Sequence, residues 1–319
     1  MKKYNLIFLG FNNEYESIDI HSLKTKYNLK HIFLPKITVS VLLRLKIIFP
    51  SAYKKILKWL FEKIISKLSG EWTLICNDNE FYSESLKIDY PSVKRKIIII
   101  RNTFNEKSVP LGINNVEYYS FDPKDCEKYN FESYEQYCSG YDELRKAENI
   151  TPEFSAYFLG LDKGRKGMVS SIVKLIHGKN KIIIVKEPLN FIEKTQKILL
   201  KSNEFNGISY IEHLQNVKNS KIIIDIIKPG QSGLTMRPLE ALLNFKKVIT
   251  NNKQIISEPF YHPNNVFIID TFESLEKESI DNFLAKSFYL DSKLYENLLH
   301  RNFSSVLNKI LNRVENDKA

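Results

Sequence analysis

The second half of the chain alternates between short apolar runs and amphipathic stretches. Continuous Ile and Val runs are typical of strands buried on both faces of a sheet, and strands that alternate with helices form parallel sheets. This pattern predicts an α/β domain with a Rossmann-like sheet. The predicted strands are SAYFLG, KIIIV, KIIIDII, KVITN and NVFIID, and the predicted helices are KGMVSSIVKLI, LNFIEKTQKILLKS, LTMRPLEALLN and TFESLEKESIDNFL.

The first half follows the same pattern less regularly. Between Pro35 and Ser69 two helical patterns follow each other and are interrupted at Pro50, because proline removes a backbone donor and breaks a helix. We expect a second Rossmann-like sheet here, with an inserted pair of helices. Its predicted strands are YNLIFLG, KHIFL, WTLIC, KIIIIRN and VEYYSF.

The pattern divides the chain near its middle. The segment from Asn130 to Phe154 is rich in tyrosine and charge and has no clear period, so we interpret it as the connection. Residues 1–150 then form an N-terminal domain and residues 151–319 a C-terminal domain, whose last helical stretch could cross back over the first domain. Open parallel sheets bind ligands at the carboxyl ends of their strands. If the two sheets face each other, the site is the cleft between them.

Composition is that of a globular protein in a reducing compartment. A chain of 319 residues, 43% of them hydrophobic, is long enough for two domains of about 150 residues each. Cys76, Cys126 and Cys138 have neither disulfide-framework nor zinc-ligand spacing. No apolar run approaches the roughly 18 residues that cross a bilayer, and the N-terminal MKKYNLIFLGFNN is more typical of a strand and turn than of a signal peptide. We expect a cytoplasmic protein.

The loop in YFLGLDKGRKG combines cations with a strand-to-helix turn. Lys163 and Arg165 flank Gly164, and the free N–H groups at a helix N-terminus favour a phosphate. The alternative is a solvated basic turn, because neither GxGxxG nor GxxxxGK[ST] is present.

A second loop, in KPGQSGLTMRPLEALLNFKKVITNN, has similar chemistry. Arg237 and Glu240 follow it three residues apart on one helical face, where a guanidinium suits a phosphate and a carboxylate suits a sugar hydroxyl. A glycine turn followed by a solvated ion pair is the alternative. Both loops follow parallel strands and therefore share one sheet edge. The candidate loop residues are Gly230, Gln231, Ser232 and Gly233.

Four stretches resemble the GT-B glycosyltransferases, in particular bacterial enzymes that assemble capsule, O-antigen and lipopolysaccharide core. The resemblance implies an α/β architecture of two Rossmann-like domains facing a cleft, in which the C-terminal domain binds the nucleotide sugar and the N-terminal domain binds the acceptor. It also implies that Lys163, Arg165 and Arg237 meet the donor phosphates and that Glu240 holds the ribose. The stretches are LGLDKGR, SKIIIDIIKPGQSGLTMRPLEALLNFKKVITNN, FYHPNNVFIID and YYSFDPKDCEKYNF.

One departure from that family bears on the stereochemistry. Many retaining members carry two glutamates around the second loop, and the earlier position here is Ser232, beside Gln231. The donor-sugar contacts and the choice between retention and inversion therefore stay open. No Asp-x-Asp motif is evident, so we expect that no metal or other cofactor is required and that cations and helix N-termini stabilise the leaving diphosphate.

Two aspartates of the first domain are candidate bases for the acceptor hydroxyl. Asp78 follows the strand WTLIC, and Asp122 follows VEYYSF, so both are placed where a general base could reach an acceptor. The alternatives are structural. Asp122 precedes a proline and a helical run, which is typical of an N-cap, and Asp78 between two asparagines is typical of an Asx turn.

The stretch SAYKKILKWLFEKIISKLSG predicts a basic amphipathic helix. Apolar residues recur at helical spacing at Tyr53, Ile56, Leu57, Leu60, Ile64 and Leu68, and the segment between residues 36 and 70 has eight basic residues against one acid, giving 8 − 1 = +7 of the chain's +10. Such a helix can lie in a membrane interface, or it can pack on the sheet with its lysines in water. The membrane or acceptor candidates are Lys54, Lys55, Lys58, Trp59 and Lys63.

These features favour a glycosyltransferase that is peripheral at the inner membrane. It would transfer a hexose or deoxyhexose from a nucleotide-sugar donor to a glycan or lipid-linked acceptor, and we expect no nucleic-acid partner because no nucleic-acid-binding motif is evident. The alternatives are a non-enzymatic Rossmann-like protein that binds membrane or polyanion, and an inactive relative of the enzymes.

Overall fold

The computed structural model describes residues 4–106, 109–146, 150–185, 208–228, 230–272 and 275–316. The predicted helix LNFIEKTQKILLKS lies outside these residues. The strands are β1 Asn5–Leu9, β2 Asn28–Ile32, β3 Trp72–Asn77, β4 Val93–Ile100, β5 Val116–Ser120, β6 Glu132–Ser133, β7 Phe154–Leu161, β8 Asn180–Val185, β9 Ser220–Asp225, β10 Lys247–Thr250 and β11 Val266–Ile268. The helices are α1 Glu14–Leu23, α2 Lys36–Ile48, α3 Pro50–Ile65, α4 Glu80–Glu84, α5 Pro123–Tyr129, α6 Tyr141–Leu144, α7 Lys166–Leu175, α8 Tyr210–Lys218, α9 Met236–Leu243, α10 Lys277–Ala285, α11 Ser292–Leu299 and α12 Phe303–Asn316.

The first unit contains a parallel sheet of the order β2-β1-β3-β4-β5-β6. The Ile run of β4 is buried, which agrees with strands covered on both faces. The predicted pair of helices is present as α2 and α3, separated at Phe49. In this strand order the direction of winding changes between β1 and β3, and ligands of such sheets bind at the carboxyl ends of the strands at that point.

The second unit contains a parallel sheet of the order β11-β10-β9-β7-β8. If its strands are numbered from β7 as the first, the order is 2-1-3-4-5, which is the same winding as in the first sheet. The switch point of this sheet lies between β7 and β9. The two predicted phosphate loops follow these two strands. Two Rossmann-like parallel sheets are therefore confirmed, and topology marks one ligand-binding edge on each.

The two units divide earlier in the chain than the predicted boundary at residue 150. The first unit ends at Tyr134, and the second begins at Glu135. The reason is packing: Cys138 and Leu144 are buried in the core of the second unit. The Gln136 amide also donates to the carbonyl of Leu234. The tyrosine-rich connection therefore belongs largely to the second unit.

Two helices differ in detail from their sequence patterns. In α3 the buried stripe is Tyr53, Leu57, Phe61 and Ile65, whereas Ile56 is exposed. The residues therefore follow a strict i, i+4 row, because that row faces the sheet. The last predicted helical stretch forms two helices, α11 and α12, because the backbone turns at residues 300–302. Asn302 caps α12, since its Oδ1 accepts a hydrogen bond from the Ser305 N–H.

Candidate functional site

The loop after β7 forms a tight turn into α7. Lys163 and Gly164 both have positive φ, 42° and 78°. Glycine adopts this left-handed conformation easily, whereas for lysine it costs conformational energy. Lys163 is exposed, and the Asp162 carboxylate accepts a hydrogen bond from the Lys166 N–H at 3.1 Å. The turn therefore presents a lysine at the helix N-terminus, as the sequence predicted.

Arg165 lies beneath this turn and is 7% exposed. Its guanidinium donates to the carbonyl of Ile226 at 2.9 Å and to the carbonyl of Leu161. Arg165 therefore ties the loop after β7 to the chain after β9. Its predicted contact with a donor phosphate stays a prediction, because these bonds occupy part of the guanidinium.

Arg237, at the start of α9, meets Arg165 beside Gly160. Its Nη1 lies 2.8 Å from Asp225 Oδ1, and its Nε donates to the carbonyl of Leu159 at 3.0 Å. A Cβ at position 160 would lie 2.9 Å from Nη2 of Arg237 and 3.1 Å from Nη2 of Arg165. Glycine at this position leaves room for the two guanidinium groups, which a Cβ would displace. Two guanidinium groups thus converge at the switch point, and that of Arg237 pairs with Asp225.

Asp225 organises this region and was not singled out from the sequence. It ends β9, is fully buried, and accepts hydrogen bonds from Thr235 Oγ1 at 2.7 Å and Thr250 Oγ1 at 3.1 Å as well as from Arg237. Thr235 also caps α9 by accepting from the Arg237 N–H. The only signal in the sequence was an acid directly after an Ile run.

The loop between residues 230 and 233 is held from two sides. The Asn252 amide donates to the carbonyl of Gly233 at 3.1 Å, and Gln231 Nε2 donates to the same carbonyl at 3.4 Å. Gly230 has φ of 86°, and Ser232 is half-buried beside it. The candidate loop residues therefore lie together at the edge where β9 ends.

Glu240 lies in a buried chain of hydrogen bonds. Its Oε1 is 2.7 Å from the Tyr210 hydroxyl, and its Oε2 is 2.9 Å from His213 Nε2. The other ring nitrogen of His213 is 2.9 Å from the Tyr157 hydroxyl. Burial alone would raise the pKa of Glu240, but the His213 charge and the hydrogen bonds from His213 and Tyr210 bring it below its usual value.

This chain of hydrogen bonds changes how Glu240 can act. The residue is 1% exposed, and both of its oxygens already have partners. A ribose contact would therefore have to use the remaining lone pairs of the carboxylate, and it stays a prediction. His213 gave no sequence signal, since single histidines are usually core or turn residues.

The first unit has a pocket of about 750 Å³ at its own switch point. One wall is formed by α2, with Lys36, Arg44 and Ile47, and the opposite wall consists of loops after β1, β3 and β4. Amide side chains donate and accept at once, which suits vicinal hydroxyl groups. The amides at this wall are Asn12, Asn13, Asn77, Asn79 and Asn102.

Three carboxylates line the same pocket, and of these Glu80 pairs with Lys46 at 3.1 Å. Asp78 Oδ2 accepts from both the backbone N–H and the side-chain amide of Asn102, at 3.1 and 2.9 Å. Burial raises the pKa of Asp78 against these bonds, and burial likewise raises the pKa of Glu16, 3.8 Å from Arg101. Glu16 was not predicted. Its carboxylate accepts a hydrogen bond from the Asn13 N–H at the start of α1, and an acid at this position is typical of helix capping. A carboxylate with a raised pKa in a pocket is a candidate general base.

Asp122 is the weaker candidate base. It is fully buried, and its Oδ1 accepts from the Lys124 N–H at 3.0 Å at the start of α5. This is the N-cap alternative that the sequence left open. Its catalytic role stays untested.

The helical pair of the first unit exposes both cations and large apolar residues. Ile47, Ile48 and Phe49, at the corner between α2 and α3, are 83%, 67% and 60% exposed, and Trp59 is 59% exposed. Lys58 pairs with Glu62 at 3.7 Å. Lys63 lies over the Trp59 ring, 4.8 Å from its centroid. Among the described helices, none has both the length and the apolar character needed to span a membrane.

Comparisons with known proteins concern the fold. No family model matches the sequence, and a search of curated proteins finds no match. Among solved structures, sucrose-phosphate synthase from Thermosynechococcus elongatus is similar at 9% identity, covering 99% of this chain and 100% of that one, with a TM-score of 0.59. Anabaena Alr3699/HepE in complex with UDP follows at 10% identity, 98% and 100% coverage and a TM-score of 0.55.

A glycosyltransferase from Rickettsia africae ESF-5 matches at 14% identity, 98% and 97% coverage and a TM-score of 0.52. Likeness at such identities is evidence of fold and leaves activity to the site. The chain therefore has the GT-B-like fold of two Rossmann-like α/β domains.

Proposed function

We propose that this protein is a glycosyltransferase. It transfers a hexose or deoxyhexose from a nucleotide diphosphate sugar to a bacterial surface glycan or a lipid-linked acceptor of capsule, O-antigen or lipopolysaccharide-core type. The observation that carries the proposal is the convergence of Arg165 and Arg237 beside Gly160 at the switch point of the second sheet. The UDP complex of the Anabaena structure supports a uridine nucleotide as the first donor to test.

The second unit would bind the donor. Two guanidinium groups and one buried carboxylate lie beside the exposed Lys163 and the N-terminus of α7. A diphosphate would contact these cationic side chains and accept hydrogen bonds from backbone N–H groups. The same groups would stabilise the negative charge on the leaving diphosphate as the glycosidic bond breaks, so the proposal requires no metal ion.

The first unit would bind the acceptor in its amide-lined pocket. The acceptor hydroxyl would lose its proton to Asp78 and form the new bond to the anomeric carbon of the donor sugar. Asn102 orients the Asp78 carboxylate through two hydrogen bonds to one oxygen, which leaves the other oxygen for the hydroxyl.

The α2–α3 surface would hold the protein at an anionic membrane leaflet. Exposed Ile47, Ile48 and Phe49 would enter the interface, and the lysines around them would face lipid phosphates. Each cation near such a surface contributes about 1 kcal/mol. The apolar corner adds residues to the lysine set and Trp59 predicted from the sequence.

Donor binding is the first test. We expect UDP, GDP or dTDP at about 100 times its Kd to stabilise the protein by roughly 2.7 kcal/mol, which raises Tm by about 5–10 °C. Arg237→Ala and Glu240→Ala should remove this response, and Lys163→Ala should weaken it. Lys253→Ala is the control because it lies outside the loops. A chain that responds to no nucleotide and transfers no sugar would instead be a binding module.

Membrane binding is tested separately by sedimentation with vesicles. We expect binding to phosphatidylglycerol vesicles and little binding to phosphatidylcholine vesicles, and Ile48→Asp should reduce it at least about tenfold, because a charge at an apolar contact costs more than 1.4 kcal/mol. The matched control is Ile256→Asp, since Ile256 is 51% exposed in the second unit. Equal binding by both variants would contradict the membrane assignment.

A further inference from the structure

Two adjoining cavities lie at the amino ends of strands in the second unit, opposite the proposed donor site. The larger, of about 450 Å³, is lined by residues that begin β7, β9 and β10, including Ser155, Ile222 and Lys247. The smaller, of about 300 Å³, shares Phe245 and Lys246 with it. We refer to this pair as the basal cavities. Because β9 has six residues, the two edges of the sheet are about 20 Å apart.

The basal cavities are strongly cationic. The described residues that line them include no carboxylate. Some of the cations have partners in the fold: Lys247 donates to the carbonyls of Phe283 and Leu284 at 2.7 and 3.1 Å, and Lys146 pairs with a glutamate. The cationic side chains are Lys221, Lys246 and Lys247 in the larger cavity, which His177 also lines, with Arg145, Lys146 and Lys218 in the smaller.

Lys221 and Lys246 are the cations available to a ligand. The hydrogen bonds and ion pairs among the described residues involve neither side chain. Burial lowers the pKa of Lys246, with no described carboxylate to oppose it. A partly buried ammonium group without a counter-charge is costly, and a bound anion would supply that charge.

Phe245 lies at the mouth shared by both cavities and has an unusual backbone. It follows the end of α9 with φ of 55°, the left-handed position where a helix normally ends in glycine. The residue is 48% exposed, and its ring stacks on Tyr295 at 5.5 Å and meets Phe288 edge-on at 5.9 Å. A bulky residue in this conformation is a backbone outlier, and such outliers cluster at ligand sites.

We propose that the basal cavities are a second ligand site, which binds a sugar that carries a phosphate or a carboxylate. Lys221 and Lys246 contact the anionic group, and the apolar face of the sugar ring packs on Phe245. The two anion types share this chemistry, and binding assays separate them. The proposal does not rest on glycosyl transfer, because every residue in it lies at the opposite edge of the sheet from the donor loops.

The test uses calorimetric titration of the full chain with glucose 6-phosphate, glucuronate and pyrophosphate, each with and without saturating UDP, which competes for the proposed donor site and leaves the basal cavities as the remaining site. We expect at least one ring-bearing anion to bind. Lys221→Met and Lys246→Met should each lower its affinity about tenfold, because each removes a charge-assisted contact. Lys246→Arg should retain most of the affinity. Lys277→Met is the control, because Lys277 is exposed at the far end of α10.

A second variant tests the aromatic contact. Phe245→Gly suits the left-handed backbone and should therefore fold. It should lower the affinity for the ring-bearing anions and leave the affinity for pyrophosphate unchanged. Arg237→Ala should leave the binding of these anions to the basal cavities intact. The proposal is overturned if none of the three anions binds, or if Lys246→Met and Lys277→Met bind them equally well.

Discussion

Replacing Asp225 with asparagine tests whether the buried ion pair holds the candidate donor site together. Asp225→Asn keeps the shape of the side chain but removes its charge. Arg237, with 17% of its side chain exposed, then lies 2.8 Å from a neutral amide. One amide oxygen must also replace the two carboxylate oxygens that accept from Thr235 and Thr250. The amide NH₂ group of the new asparagine would then face the hydroxyl of Thr235 or Thr250, so that two hydrogen-bond donors point at each other.

The magnitude follows from the burial of this pair. Breaking a buried ion pair by removing one partner costs about 3–5 kcal/mol, because the remaining charge is left uncompensated. Partial exposure of Arg237 lets water solvate it, so we expect the lower end, about 3 kcal/mol. For a unit of this size, each kcal/mol shifts Tm by about 2–4 °C. The variant should therefore melt roughly 6–12 °C below the wild type.

Urea unfolding and thermal melts measure this loss. The matched control is Asp270→Asn, since Asp270 also lies 2.8 Å from a lysine, Lys253, but is 75% exposed. Exposed pairs contribute about 0–1 kcal/mol. In a double-mutant cycle with Arg237→Met, the double variant should cost less than the sum of the two single variants. If Asp225→Asn costs no more than Asp270→Asn, the reasoning that Asp225 organises the site is refuted.

Three further predictions concern individual residues. Because the pKa of Glu240 is lowered in the folded protein, its ionised carboxylate stabilises the fold above its unfolded pKa, and this stability is lost as pH falls through the folded pKa. In urea unfolding between about pH 7 and pH 3, Glu240→Gln should therefore lose less stability on acidification than the wild type does. Asp78→Asn should abolish transfer but leave UDP binding unchanged, whereas Asp122→Ala should cost about 1 kcal/mol as a lost N-cap and retain turnover. Gly10→Ala should destabilise the protein by about 1–3 kcal/mol in urea titrations, since φ is 79° and a Cβ would lie 2.5 Å from Asn77 Oδ1.

The pattern of apolar residues was sufficient to predict the class of fold and the strands other than the two-residue β6, whereas the helices α1 and α8 were not among the predicted elements. Runs such as the one that forms β4 are buried on both faces, so local composition and tertiary environment agree. The break between α2 and α3 was equally local, because proline acts on its own backbone. The loop residues Lys163 and Arg237 could be placed at one sheet edge, since parallel strands all point the same way.

Contacts between distant segments could not be predicted in this way. Glu240 is bonded by His213 and Tyr210, and these contacts depend on how α8 and α9 pack, for which the residues have no local signal. The same holds for Arg165, whose bonds to carbonyls after two different strands follow from the strand order. The amide-lined pocket likewise combines loops after three strands.

The sequence by itself therefore determined most of the strands, several of the helices and which loops carry charge, because periodicity and backbone chemistry are local properties. The tertiary structure alone decided which charges are buried, which carboxylates already have partners and where the cavities lie. Burial and pairing depend on the order in which strands join a sheet, and residues far apart in the chain meet only after that order is established.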